Sequence, residues 1–316
     1  MATGLGYAII VPHGFDTREL MEKWQQHGVT LKKDAMLFLD MIKKGETKTM
    51  NNAWAWKERE KRKERAVAMT NNIDAHYKGL VRHSIDNSRI YSPSDADRLS
   101  ENEKRHDKNT LITVDNVTTV DAILKYGTEN TAVLNFASYK EPGGMFLQGS
   151  MAQEEALCHE SILYNVLREF PEYYETNRKR LNKGLYLDRA IYSKDIAFHI
   201  IRYTSLYEKY ANVITCAAPN KGTAQKYQNV SDGECNRCMI DRINFILNIA
   251  LENGQESLIL GAYGCGVFGN DAEDVAMMFR KALDTTFYNC FGHVIFAVPG
   301  NISDYNYQAF ANVFKH

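Results

Sequence analysis

The chain has 316 residues, 44% of them hydrophobic and 24% charged, which supports a buried core and excludes disordered, collagen-like and low-complexity classes. Its 38 Lys and Arg offset 39 Asp and Glu, for a net charge of −1. No global field therefore draws it to nucleic acid or an anionic membrane, and any polyanion must be gripped by a local site.

At the N-terminus the apolar run from Tyr7 to Pro12 has no basic segment before it, unlike a secretory signal. No stretch approaches the roughly 20 continuous apolar residues that span a bilayer. Six scattered cysteines fit reduced thiols, so a cytoplasmic protein is expected. From Thr17 to Lys44, Leu20, Met21, Trp24, Leu31, Met36, Leu37, Leu39 and Ile42 fall at helical spacing, and Gly45 stops the run. Lys57–Arg65 then carries six positive and three negative charges, a mixed-sign run that reads as a solvated helix face. An N-terminal helical extension over residues 1–60 is predicted, followed by a domain over residues 61–316.

From about residue 107 strands and helices alternate. Thr110–Val114 is a short β-branched strand, Asp115 is positioned to cap a helix over Thr118–Tyr126, and Gly127 closes it. Apolar strands follow at Ala132–Ala137, Val213–Ala217, Ser257–Ala262 and His293–Val298. Amphipathic helices fill the gaps at Gln153–Phe170, Arg237–Asn253 and Asp271–Tyr288. Continuously apolar strands between helices predict a largely parallel sheet covered on both faces, with ligands at the carboxyl ends of its strands. No fixed-period repeat is present.

Two strand-to-helix junctions concentrate the chemistry. In the first, Asn135–Glu160, a strand ends at Asn135, Pro142, Gly143 and Gly144 turn, Gly149 follows, and a helix opens with Gln153, Glu154 and Glu155. Glycines let backbone N–H groups approach anionic oxygens. Paired carboxylates beside such a loop suit glycosidic cleavage, which needs a proton donor and a group orienting sugar or water. The same acids also suit a helix N-terminus on dipole grounds alone, and there the dipole lowers a carboxyl pKa, so an acid catalyst would need burial to raise it.

In the second junction, Leu258–Asp271, Gly264, Gly266 and Gly269 match G-x-G-x-x-G after a strand and before a helix. A dinucleotide-binding reading expects an acidic residue at the end of the next strand, yet that strand ends in Val298, Pro299 and Gly300. A phosphate-cradling loop survives this test, with Phe268 either against a sugar or base or docked into the core.

Together these junctions resemble the microbial-type poly(ADP-ribose) glycohydrolases, a branch of the macrodomain superfamily. That family's signature is a triple glycine followed, after six to eight residues, by Gln-Glu-Glu. Here Gly143–Met145 is followed by seven residues and then Gln153, Glu154 and Glu155. The words NFAS, ALCHES, VITCAAPN and LILGAYGCGVFGND also look like the family, from about residue 60 to the C-terminus.

The resemblance implies a three-layer α/β/α mixed sheet. It also implies a hydrolase that releases ADP-ribose from its polymer, or alternatively from a mono-modified protein. Glu155 would be the general acid and base, and Glu154, helped by Asn135, would hold the terminal ribose hydroxyls. Gly143, Gly144 and Gln153 would line one side. Gly264, Gly266, Val267 and Gly269 would take the diphosphate, with Phe268 against the ribose and Asn220 toward the adenine or ribose. The third signature glycine is Met145, which bears on substrate preference more than on Glu155. No cofactor or metal is implied, and no His/Asp/Glu set has metal spacing.

Competing readings are a non-catalytic ADP-ribose reader and, from the lone Cys235–Cys238 C-x-x-C, a thiol or nucleotide-dependent oxidoreductase. His159 shares a helix face with Glu155 and serves either to tune it or as a structural group. Cys158 and Cys265 flank the proposed cleft as small apolar groups. Expected partners are ADP-ribose polymer or ADP-ribosylated protein, with no membrane and no direct nucleic-acid binding.

Overall fold

The structure is a computed structural model that describes residues 47–95, 106–202 and 205–315. The helix expected over Thr17–Lys44 lies outside the described residues. Residues Arg59–His316 form one compact unit.

In chain order the helices and strands are α1 (Thr47–His76), α2 (Lys78–Asp86), β1 (Arg89–Tyr91), β2 (Leu111–Asp115), α3 (Thr119–Tyr126) and β3 (Thr131–Phe136). Then come α4 (Gln153–His159), α5 (Leu163–Leu167), α6 (Pro171–Arg178), β4 (Ala190–Arg202), β5 (Ser205–Cys216) and α7 (Lys221–Gln228). The chain continues with α8 (Asp232–Glu252), β6 (Ser257–Leu260), α9 (Ala272–Asp284), β7 (His293–Ala297) and α10 (Tyr305–Val313).

The strands form one sheet in the order β1-β4-β5-β3-β6-β7-β2. Neighbours from β5 to β2 run parallel, whereas β4 is antiparallel to both β1 and β5. The mixed sheet is therefore parallel at its centre and antiparallel at one side. Alternation along the central strands covers both faces. Leu134, Leu258, Leu260 and Phe296 join a core with α8, α9 and α10. Val133, Ile259 and Ile295 join a second core with α1, α3, α4 and α5. The carboxyl ends of β2, β3, β5, β6 and β7 consequently share one edge of the sheet.

Two expectations are corrected. The N-cap of α3 is Thr118, whose side chain accepts the Asp121 N–H; Asp115 ends β2 and binds Lys125 and Tyr126 instead. The helix expected over Gln153–Phe170 is broken into α4 and α5, because Ser161 pairs as an isolated bridge with Phe198 and its hydroxyl donates to the Leu157 carbonyl. The Lys57–Arg65 run is helical and largely exposed. Two of its arginines nevertheless hold the loop ahead of α4: Arg59 Nε donates to the Gln148 carbonyl and Arg62 Nε to the Gly149 carbonyl, each at 2.9 Å. A Cβ at Gly149 would collide with the Arg59 carbonyl oxygen, so α1 and this loop pack backbone against backbone.

Arg242 of α8 is fully buried. Its Nε donates to Asp188 at 2.6 Å, its Nη1 to the Ala217 carbonyl just past β5, and its Nη2 to the Tyr186 carbonyl at 3.2 Å. Truncation strands buried carbonyls and leaves the part-exposed Asp188 carboxylate without its partner. Arg242→Ala should lower stability by about 3–5 kcal/mol in urea unfolding, and a loss no larger than that of an exposed Arg→Ala would refute this account.

Candidate active site

The loops that leave the sheet's carboxyl edge enclose a cleft of about 450 Å³. Its wall draws on every parallel strand end: Ser138, Tyr139, Gly144 and Met145 after β3, Ala218 after β5, Gly264, Gly266, Val267 and Phe268 after β6, Val298 and Pro299 after β7, and Thr119 after β2. The two glycine-bearing junctions, over a hundred residues apart in sequence, thus face one cavity, together with Glu154 and Glu155.

The loop after β3 explains the acid pair. Gly143 and Gly144 have φ of +65° and +59°, the left-handed region in which a side chain is disfavoured. Space imposes a second demand. A Cβ on Gly144 would lie 2.6 Å from Glu155 Oε1 and 3.2 Å from Glu154 Oε2. One on Gly143 would press on Tyr164 at 3.0 Å and Cys158 at 3.1 Å. The turn therefore lets backbone lie directly against both carboxyl groups. Met145 differs: its φ is −100°, an ordinary conformation, so its backbone has no need of glycine. Its side chain lines the cleft with 49% exposure.

Glu154 and Glu155 are 3% and 6% exposed, but their oxygens are used differently. Glu154 Oε1 accepts from Asn135 Nδ2 at 3.1 Å and Oε2 accepts from the Ser138 N–H at 2.6 Å. Complete burial pushes its pKa up to about 8; the Ser138, Asn135 and Gly143 donors oppose this, and the charge of Glu155 adds to it. Glu155 Oε1 accepts the Met145 N–H at 2.9 Å, and Oε2 makes no hydrogen bond among the described residues. One acid is thus locked and protonated near neutrality, while the other offers a free oxygen to the cleft.

Other expected residues take supporting places. Gln153 lines the cleft, but its amide joins α4 to β3: Oε1 accepts the Phe136 N–H at 2.8 Å, and Nε2 donates to the Leu134 carbonyl at 2.8 Å and to Thr119 Oγ1 at 3.2 Å. Asn135 is fully buried behind Glu154, with Nδ2 also donating to Thr215 Oγ1 at 3.2 Å. Asn220 caps α7 through the Thr223 N–H and faces a neighbouring hollow with Tyr139 and Tyr186. His159 makes no bond to Glu155; its Nε2 donates to the Ser150 carbonyl at 3.1 Å, and burial and the nearby Arg65 and Arg62 lower its pKa.

In the loop after β6, Gly264 and Gly269 have φ of +74° and +72°. The Gly222 N–H donates to the Phe268 carbonyl at 3.0 Å, and Asn270 Nδ2 to the Gly264 carbonyl at 3.0 Å. The first bond fixes the loop to α7 and the second closes the loop on itself, leaving Val267 fully open at its tip, at 99% exposure. Phe268 packs against the core with part of its side chain and also lines the cleft.

Sequence reasoning missed the N–H groups of Ser138 and Met145, whose roles reside in backbone and leave no residue-type signal. It also missed Arg59 and Arg62, hidden within a run that reads as surface. None of the six cysteines is joined in a disulfide, and burial raises the thiol pKa of Cys235, and of Cys238 to about 11; such thiols are poor nucleophiles. Among the described residues no helix is long and apolar enough to cross a membrane, and no group of His, Cys, Asp and Glu is arranged to hold a metal ion.

Comparison with known proteins follows the same lines. The sequence matches the family described as Microbial-type PARG, catalytic domain, over residues 59–201. Poly(ADP-ribose) glycohydrolase from Deinococcus radiodurans in complex with ADP-ribose is similar, with 33% identity over 74% of this chain and 97% of that one, and a TM-score of 0.69. The enzyme from Thermomonospora curvata is 30% identical over 81% of this chain and 100% of its own, with a TM-score of 0.74. It is also solved with the inhibitor ADP-HPD, at a TM-score of 0.72. No curated protein matches the sequence.

Two outcomes follow from this geometry. Glu154 holds a proton when folded up to a pKa of about 8, against 4.5 ordinarily. Folding therefore takes up a proton between those values, and stability falls as pH rises through that window. Glu154→Gln should flatten this dependence of Tm on pH; an undiminished slope in the variant would contradict the assignment. Gly144→Ala should cost about 2 kcal/mol or more, whereas Met145→Gly should cost about 1 kcal/mol or less. Equal losses in denaturant unfolding would show that the turn imposes no such distinction.

Proposed function

The chain belongs to the microbial-type poly(ADP-ribose) glycohydrolase family, and on that premise we propose a mechanism and site for its action. It is a hydrolase of glycosidic bonds that cleaves the ribose–ribose bond of poly(ADP-ribose) and releases ADP-ribose.

Glu155 is the catalytic acid and base, a role supported by its single backbone tether and the free Oε2 beside the cleft. Protonated Glu155 donates to the departing ribose oxygen as the anomeric bond breaks. The resulting carboxylate steadies the oxocarbenium-like sugar and takes a proton from the attacking water. Glu154 and the Gly143–Gly144 turn seat the terminal ribose, and Asn135 and Gln153 hold that wall in place from behind. The N–H groups of Gly264, Gly266 and Val267 take the diphosphate, aided by the absence of a side chain at Gly266 with open space around it, while the Gly269 N–H donates to the Gly266 carbonyl at 3.0 Å and shapes the loop. Phe268 packs on the ribose.

A domain boundary near residue 60 is supported by the compact unit and the family match, which both start at residue 59. Six cysteines outside any disulfide suit a reducing cytoplasm. The second reading, removal of single ADP-ribose units from protein, draws support from Met145, whose side chain narrows the cleft beside Glu155.

The single observation carrying the assignment is the buried acid pair set against a left-handed glycine turn in a cleft shared with the second glycine loop. Glu155→Gln should reduce ADP-ribose release from polymer about 10³-fold while retaining ADP-ribose binding by calorimetry. Release at the parent rate would remove Glu155 from the chemistry, and binding without hydrolysis by the parent chain would identify a reader instead.

A further inference from the structure

Beside the catalytic cleft lies a second hollow of about 350 Å³, and Tyr139 lines both. Tyr139 stacks on Tyr186, ring centroids 4.9 Å apart and planes 16° apart. Asn220 and Tyr227 complete the far wall, and Arg180 stands at the rim.

The turn that supplies this wall has an unusual backbone. Arg180, Asn182, Lys183 and Tyr186 have φ of +50°, +54°, +55° and +63°, with Gly184 at +82° among them. Left-handed residues with side chains are disfavoured, and a cluster of them persists only where surrounding structure compels it. Arg242 supplies that compulsion, its Nη2 donating to the Leu185 carbonyl at 3.4 Å and the Tyr186 carbonyl at 3.2 Å. Asn182 Nδ2 adds a bond to the Tyr186 carbonyl at 3.3 Å. Tyr186 is itself buried and hydrogen-bonded to Asn220. The hollow is thus built on a rigid floor.

Its chemistry is cationic and aromatic. Arg180 lines it and is exposed, and the exposed Lys140, Arg178 and Lys179 adjoin its lining residues in sequence, in a chain whose net charge is −1. Arg180 forms no ion pair among the described residues. Tyr227 is 66% exposed. Lys226 Nζ stands over one face of this ring, 5.2 Å from its centroid; an exposed ring beside an unpaired guanidinium suits a phosphorylated nucleoside, with the base on the ring and the phosphate on the cation. Position adds direction. Tyr139 follows Ser138, whose N–H holds Glu154, so the hollow adjoins the carboxylate end of the cleft, where the leaving portion of a substrate departs.

We propose that this hollow is a leaving-group subsite that takes the next ADP-ribose unit of the polymer, with Tyr227 stacking its base and Arg180 pairing its phosphate. The proposal rests on the glycohydrolase reading and extends it to the far side of the scissile bond.

Arg180→Glu and Tyr227→Ala should be assayed on protein-free poly(ADP-ribose), on an aryl glycoside of ADP-ribose that has no second nucleotide, and on mono-ADP-ribosylated protein. Each variant should raise KM on polymer about tenfold and leave the aryl glycoside unaffected. Arg180→Glu should also weaken the salt dependence of polymer KM. An unchanged polymer KM, or equal losses on polymer and aryl glycoside, would overturn the subsite. So would a defect confined to the modified protein, which would assign the hollow to an acceptor chain instead. Inactivity of the parent chain on all three substrates would bring down the glycohydrolase reading itself, an outcome distinct from these.

Discussion

The active end of this molecule depends on the absence of one side chain. At Gly144 the backbone turns left-handed and lies against the carboxyl groups of both Glu154 and Glu155. Burying two adjacent acids is costly in a protein interior unless each is hydrogen-bonded or one keeps its proton. The turn meets that requirement by presenting backbone donors at short range: Ser138 N–H to one acid and Met145 N–H to the other. Any side chain at Gly144 would displace the oxygens it serves, so turn and acid pair stand or fall together.

The supports behind the turn are arranged to keep it from drifting. Gln153 bridges the Leu134 carbonyl and the Phe136 N–H, in effect extending the β3 ladder with a side-chain amide. Arg59 and Arg62 hold the opposite end of the loop through carbonyls of Gln148 and Gly149. The loop is therefore fixed at its sheet end, its acid end and its α1 end. A binding surface held this way loses little freedom when a ligand arrives, which favours affinity and precise placement of a reacting atom.

Much of this was legible in the sequence. The central strands are uninterrupted apolar runs, and periodicity alone identifies them with end errors of a residue or two, except for β5. The glycine positions and the paired acids were equally visible. What escaped notice depends on contacts distant in sequence. β4 interrupts its apolar residues with Lys194 and Asp195 at a bulge between Ser193 and Ile196, so it shows neither continuous nor alternating character. The first half of β5 is largely exposed and carries no core signal. The break between α4 and α5 arises from pairing of Ser161 with Phe198, which no local pattern announces. The arginines of α1 lie in a run whose composition suggests solvent, and only the tertiary structure shows which of them reach a carbonyl.

The departure at Met145 shows how a motif divides by physical role. Three consecutive glycines look equivalent on paper, yet the first two positions are left-handed and crowded, whereas the third is in ordinary backbone geometry with its side chain directed to the cleft. What the third position contributes to the acid pair is its N–H, which every residue but proline supplies. Substitution there consequently spares the tether on Glu155 and changes only the volume and apolarity of the cleft wall. Conformation fixes the first two residues of the turn and leaves the third free of that constraint.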